Sequence, residues 1–239
     1  MSLERNPSTG SLTVITVAGT PSSGKTAVIS HLARLLLTQR IRVAAVKFDA
    51  LVSHDDEYFR NQVAIPAIKG LSDYICPDHY YVSNIEEVIE WGKQEKVHIL
   101  FIETAGLCLR CAPHITDIPA ICVLDDLAGV NAPEKMGPIL SLADVVVVTK
   151  ADMVSQAEKE VVFHKIRQIN PGAALFQING LTGSGCLPLT RLIHTWEPIG
   201  ESTNLTLRYS MPASICSYCT GEQRIGREFQ SGNVKKIDW

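Results

Sequence analysis

The sequence predicts an α/β fold, a mostly parallel β-sheet with helices on both faces, plus a small cysteine-containing C-terminal extension. Three observations predict it. Short runs rich in Val and Ile recur at residues 12–18, 42–48, 97–102, 120–124, 145–148 and 174–178. Stretches of helical spacing separate most of them, and strands that alternate with helices pair in parallel through crossover connections. The junction of the first run and the first helical stretch carries a glycine-bearing loop, Gly19-Thr20-Pro21-Ser22-Ser23-Gly24-Lys25-Thr26.

Each element has its own signal. The strand at 12–18 alternates Thr with aliphatic residues, and the helix after the loop repeats apolar side chains at Val28, Leu32, Leu35 and Leu36, the spacing of one buried face. A second strand, 42–48, ends at Asp49. Residues 50–82 read as one irregular segment, rich in charge and aromatics, that carries Cys76-Pro77-Asp78-His79. A loop of that length in a compact domain is usually functional. Asn84 is expected to cap a helix running to about Lys93. The buried strand 97–102 ends at Glu103-Thr104-Ala105-Gly106, and Cys108, Cys111 and His114 follow at once. The strand 120–124 ends in Asp125-Asp126, and four consecutive valines lead into Thr149-Lys150-Ala151-Asp152. A helix from about Ser155 to Ile169 stops at Asn170-Pro171-Gly172. The strand 174–178 opens onto the loop 179–185, and a last helix reaches about Trp196. From Glu201 the composition changes, with Pro212 and Cys216-Ser217-Tyr218-Cys219 among glycine-punctuated basic and aromatic residues. The expected division is a flexible tail at 1–10, a nucleotide-binding domain at 11–200 and a separate small element at 201–239.

Composition excludes several functions. A chain of 239 residues with a formal net charge of −3 has no general affinity for nucleic acid. No apolar run has the length of a membrane span, and the polar N-terminus does not read as a signal peptide, so a cytoplasmic protein without membrane partners is expected. Seven cysteines in a reducing compartment point to metal or redox chemistry rather than to disulfides.

The loop at 19–26 has the spacing GxxxxGK[ST] between a strand and a helix, the context in which that pattern cradles phosphate. Gly19 and Gly24 allow backbone angles that turn successive N–H groups, with Ser22, Ser23 and Ala27, toward a nucleotide, and the helix dipole adds to the attraction. Lys25 is expected to reach the β- and γ-phosphates, and Thr26 to hold Mg²⁺. Gly106 stands at the end of an inner strand, where its N–H can meet the γ-phosphate and move when that phosphate leaves. Glu103 either holds Mg²⁺ through water or orients the attacking water, and Asp49 is a second candidate for the Mg²⁺ side and for catalysis. Asp152 can accept two hydrogen bonds from guanine, a donor pair that adenine lacks. Lys150 packs over the base, Thr149 stands where Asn is usual, and Asn179 with Gly180 forms the last wall. Cys122 and Cys186 read as small buried hydrophobes.

The remaining cysteines read as ligands. Cys108, Cys111 and His114 can converge on one soft or borderline metal, Zn²⁺, Ni²⁺ or Cu⁺. Cys76 with His79 is a weaker pair. Cys216 and Cys219 are half of a site that the pair Cys108 and Cys111 could complete, for zinc or for an iron–sulfur cluster.

The order of these motifs resembles the metallochaperone P-loop GTPases of nickel-enzyme maturation, the urease accessory type most closely and the hydrogenase nickel-insertion type next. Leu124 to Gly129, Pro133 to Lys135, Gly137-Pro138 and the run 143–150 carry the likeness, which covers about residues 12–196. The resemblance implies a GTP-dependent homodimer that binds a metal between protomers and couples hydrolysis to delivery into a client metalloenzyme or its accessory proteins. In the urease type a Cys-Pro-His motif ligates nickel. Here one residue is inserted, giving Cys76-Pro77-Asp78-His79, and the other cysteines depart from that type, which points to a client other than urease. A slow GTPase with Mg²⁺ and a transition metal is therefore expected. The alternative is a small-molecule phosphotransferase or ligase with a structural zinc or iron–sulfur site.

Overall fold

Seven strands form one sheet in which every pairing is parallel, in the order β3-β2-β4-β1-β5-β6-β7. In this computed structural model the strands are β1 (Thr13–Gly19), β2 (Val43–Asp49), β3 (Ala67–Leu71), β4 (Ile99–Glu103), β5 (Ala120–Asp125), β6 (Val145–Thr149) and β7 (Ala174–Ile178). The structure describes residues 11–106, 114–200, 204–210, 221–232 and 234–237. The expected sheet and its helices on both faces are observed. Chain order reverses on either side of the central β1, which makes its carboxyl end the switch point where open sheets of this kind bind ligands.

The period-two alternation of the strands sorts their side chains onto two faces. Ile15, Val17, Val43, Ala45, Ile99 and Phe101 meet α1 (Lys25–Thr38) on one face. On the other, Val14, Ala44, Val46, Phe48, Leu100 and Ile102 meet α3 (Pro77–Gln94). A third cluster buries Ala18, Cys122, Leu124, Val146 and Val148 with Val162 and Ile166 of α6 (Gln156–Ile169). Helix α6 is the one expected from about Ser155 to Ile169, and Ser155 caps it in a reciprocal capping box with Glu158. The last helix, α7 (Cys186–Ile193), lies against α1.

The stretch 50–82 is a correction. It is not irregular: it holds α2 (Asp55–Tyr58), a π-helical turn Phe59–Val63, the edge strand β3 and the first turn of α3. These pieces are four or five residues long, too short to show a period. The helix expected from Asn84 starts at Pro77, with Cys76 as its N-cap. Proline at the first helical position has its φ preset and lacks only an N–H that would be unpaired there. Asn84 lies mid-helix and buried, its amide donating to Tyr80 O and Lys235 O. Two short helices, α4 (Ala132–Lys135) and α5 (Pro138–Ser141), follow β5.

The described parts of the C-terminal extension lie against the domain. Leu205, Leu207, Ile225 and Ile237 are buried in the same apolar cluster as Tyr80, Tyr81, Ile115 and Ile118. Arg208 spends its guanidinium on Ile115 O, Ile118 O and Leu142 O and on the Asp144 carboxylate. The tail at 1–10 lies outside the described residues.

Candidate functional site: a loop, two lysines and three carboxylates

The loop between β1 and α1 wraps tightly. Ser22 takes φ 60° and Gly24 takes φ 92°, both in the left-handed region. Gly24 is the N-cap of α1, so the unpaired N–H groups of the first helical turn open toward the loop. The Lys25 ammonium donates to Gly19 O at 3.0 Å and Thr20 O at 2.8 Å. Burial lowers its pKa to about 8 against the opposing pull of Glu103, so the amine is poised for an anion.

Gly106, at the other side of the loop, has φ 74°. A Cβ there would stand 1.7 Å from Gly19 O, a clash that only glycine avoids. Thr104 N donates to Val17 O at 3.0 Å, so the segment 103–106 is laced onto β1 beside the loop.

Thr26, Glu103 and Asp49 are brought together, and with them two residues that the sequence reading missed. Thr26 Oγ1 lies 2.9 and 3.0 Å from the Glu103 oxygens and 3.4 Å from Asp55 Oδ2. Lys47 Nζ sits 2.5 Å from Glu103 Oε1, 3.0 Å from Asp55 Oδ2 and 3.9 Å from Asp49 Oδ2. Burial draws the Lys47 pKa down, but Glu103 and Asp55 more than restore it, leaving it raised and the ammonium charged. Sheet register fixes the contact, since Lys47 and Glu103 are direct partners in the β2–β4 pairing. A lysine at the end of an apolar strand was the available signal for Lys47. Asp55 had none, because only the turn of α2 brings it back. Asp49 also accepts from Ala50 N at 2.8 Å.

Among the described residues no group of three or more His, Cys, Asp or Glu side chains is spaced to hold a metal ion unaided. Thr26 with one or two of the carboxylates of Glu103, Asp55 and Asp49 nevertheless fits Mg²⁺, a cation bound through one or two carboxylates with water and phosphate completing its shell.

On the far side, Thr149 Oγ1 donates to Ser23 O at 2.6 Å, with Leu124 O at 3.3 Å. Its hydroxyl thus ties β6 to the loop. Lys150 Nζ donates to Ser22 O at 2.9 Å and to Asp125 Oδ2 at 2.5 Å. Asp152 is exposed in the turn Ala151–Met153. Asn179 Oδ1 accepts from Leu181 N and Thr182 N, so that side chain holds its own loop. Gly180 lies against Ala27, and its carbonyl meets His31 Nε2 at 3.0 Å.

Cys76 is half-buried, and Asp78 and His79 are buried in the first turn of α3. Burial raises the Asp78 pKa to about 7, helped by the neighbouring Cys76 and opposed by His79 and Lys25, which places this turn within electrostatic reach of the loop lysine. His114 is fully buried, and its Nε2 lies 2.9 Å from Ile139 O. Burial lowers its pKa to about 4, so the imidazole is neutral, and Nδ1 has no hydrogen-bond partner among the described residues. Cys108, Cys111, Cys216 and Cys219 lie outside the described residues. Cys122 and Cys186 are buried, as expected, and burial raises their thiol pKa values to about 12 and about 11.

Comparison with known proteins agrees with the fold. The uncharacterized protein MJ0120 of Methanocaldococcus jannaschii is 42% identical over 225 residues, covering 94% of this chain and 96% of that protein. The hydrogenase maturation factor HypB of Archaeoglobus fulgidus superposes with a TM-score of 0.61 at 21% identity, over 77% of this chain and 89% of that one. HypB of Helicobacter pylori, solved in complex with nickel, gives 0.62 at 19% identity, over 80% of this chain and 92% of that one. Both structures share the fold. The model of the CobW/HypB/UreG nucleotide-binding domain matches residues 13–177, and the chain belongs to that family.

Proposed function

We propose that the protein is a GTP-binding and GTP-hydrolysing metallochaperone, in which nucleotide state controls a metal bound for delivery to a client metalloenzyme. The observation that carries this is the meeting of Gly106 with Gly19 beside Lys25, while Asp78 in the Cys76–His79 turn lies within electrostatic reach of the same lysine. The loop and the Cys76–His79 turn thus lie near one another. The H. pylori HypB neighbour, which holds nickel, supports the metal side of this reading.

The geometry supports a role for each residue. The N–H groups of the loop and Lys25 bind the phosphate chain. Thr26, with Glu103, Asp55 and Asp49, holds Mg²⁺, which when bound neutralises phosphate charge. Glu103 faces the Thr26 hydroxyl and orients water toward the γ-phosphate. Asp152 would read guanine, and Lys150, which donates to Asp125 and Ser22, would pack over the base. Leu51, Val52 and Tyr74 are 61, 68 and 98% exposed next to this end of the sheet and suit a second copy of the chain. Cys76 and His79, Cys108, Cys111 and His114, and Cys216 with Cys219 are the metal-binding candidates. His114 supports its part by offering a bare lone pair at Nδ1.

Guanine selectivity tests the nucleotide half. The wild type is expected to bind GDP at least about tenfold tighter than ADP, and Asp152→Asn to lose that preference while keeping phosphate binding. Equal affinity of the wild type for GDP and ADP, measured by calorimetry, would sink the guanine assignment.

Metal titration tests the coupling. One residue separates Gly106 from Cys108, so a peptide unit that follows the γ-phosphate pulls on the thiolate, and metal–sulfur bonds tolerate little displacement. Nickel and zinc affinities of the protein loaded with GDP and with a non-hydrolysable GTP analogue are expected to differ several-fold, about 1 kcal/mol of coupling. The difference should vanish in Cys108→Ala/Cys111→Ala. Equal affinities in both nucleotide states would reduce those cysteines to a static staple and favour a phosphotransferase.

A further inference from the structure

We propose that Lys47 is a built-in counter-cation of the Glu103–Asp55 carboxylates, one that must leave them before a divalent cation can bind there. The inference rests on the nucleotide-binding reading above and adds a residue to it. Lys47 is buried at the end of β2, 2.5 Å from Glu103 Oε1 and 3.0 Å from Asp55 Oδ2, and those are the carboxylates that also face Thr26 Oγ1. An ammonium and a divalent cation that draw on the same carboxylate oxygens repel each other, so each weakens the other's hold there.

The pair is not a chance surface contact. Lys47 lies in register with Glu103, and both continue the rows that run Val43, Ala45 and Ile99, Phe101 along the α1 face. Glu103 is 1% exposed, and a carboxylate so deeply buried is costly without a partner. Lys47 supplies one until a divalent cation displaces it. The two carboxylates are therefore held converged on one ammonium before any ligand arrives. Once displaced, the ammonium keeps Asp49 Oδ2 at 3.9 Å and stays within electrostatic reach of Lys25, where a bound phosphate chain would attract it.

Lys47 thus competes with the divalent cation for the carboxylates and supports the nucleotide without it. Both effects shrink the enhancement that Mg²⁺ gives to nucleotide affinity. Removing the charge should enlarge that enhancement, and replacing lysine by a forked guanidinium that grips the carboxylates harder should shrink it.

The test has two arms. In the first, Mn²⁺ binding to nucleotide-free protein is followed by electron paramagnetic resonance. The wild type is expected to bind Mn²⁺ at least about tenfold more weakly than Lys47→Met, whose carboxylates have lost their resident cation. In the second, GDP affinity is measured with Mg²⁺ and with EDTA for the wild type, Lys47→Met and Lys47→Arg. The ratio of the two affinities should rise at least about tenfold in Lys47→Met and fall in Lys47→Arg, as linkage requires. Lys47→Arg keeps the charge beside Glu103, so it stays informative even where Lys47→Met does not fold. Mn²⁺ affinity unchanged by Lys47→Met, or a Mg²⁺ enhancement in Lys47→Arg equal to or above that of the wild type, would overturn the proposal. A wild type that binds no guanine nucleotide would instead overturn the nucleotide reading, and the first arm would still decide the role of Lys47.

Discussion

Replacing Lys25 by alanine is expected to weaken nucleoside triphosphate binding by at least about 100-fold, close to 3 kcal/mol, while the protein stays folded. The ammonium is the one side-chain cation that the loop itself carries, and its present partners are two carbonyls of that loop, Gly19 O and Thr20 O. Neither carbonyl depends on Lys25 for its place. Gly19 ends β1 and is fixed by the pairing with β5, and Thr20 O also accepts from Ser23 N. Loss of the side chain should therefore cost binding and not the core. Burial already holds the Lys25 pKa near 8, so removing it also relieves a desolvated charge. Fluorescent nucleotide titration reports the affinity and thermal melting without ligand reports the fold. A variant that melts far below the wild type without ligand would mean that Lys25 is structural.

Gly106→Ala is expected to be damaging twice over. The added methyl would stand 1.7 Å from Gly19 O and 2.8 Å from its carbon, both backbone atoms that cannot rotate away. The position also has φ 74°, where an L side chain is strained. Overpacking and backbone strain together should cost about 2–4 kcal/mol, relieved only by pushing the segment 103–106 off the loop. Glu103 would move with it and release Thr26 and Lys47. GTP hydrolysis should then fall by at least about 100-fold, more than affinity for GDP, because the γ-phosphate side of the site is the part displaced. Urea midpoints, hydrolysis rates and GDP affinity separate these effects. A variant with wild-type stability and wild-type hydrolysis would show that the close approach of Gly106 to Gly19 has no part in the working site.

Much of the fold was legible because its signals are local. Apolar strands four to seven residues long, the capped helix after Ser155 and the glycine-bearing loop each announce themselves within a short window. The exception at 50–82 is instructive. A four-residue helix, a π-helical turn and a five-residue edge strand carry too few residues for a period to emerge, and Pro77 starts a helix in a place that reads as a turn.

The sequence by itself determined the α/β class, the phosphate-binding loop and the residues that flank it, because strand, loop and helix are contiguous there. It also pointed to burial of Cys122, which lies in an apolar strand, and of Cys186, which opens a helix, and both are buried. Only the tertiary structure decided what meets that loop. Sheet register sets Lys47 against Glu103, the turn of α2 returns Asp55 to the same place, and the β1–β4 pairing brings Gly106 onto Gly19. It likewise sets Leu205, Leu207, Ile225 and Ile237 of the C-terminal extension into the core beside α3. These contacts join residues dozens of positions apart. Which of them form depends on strand order and on where each chain segment returns, and no local pattern in the sequence carries that information.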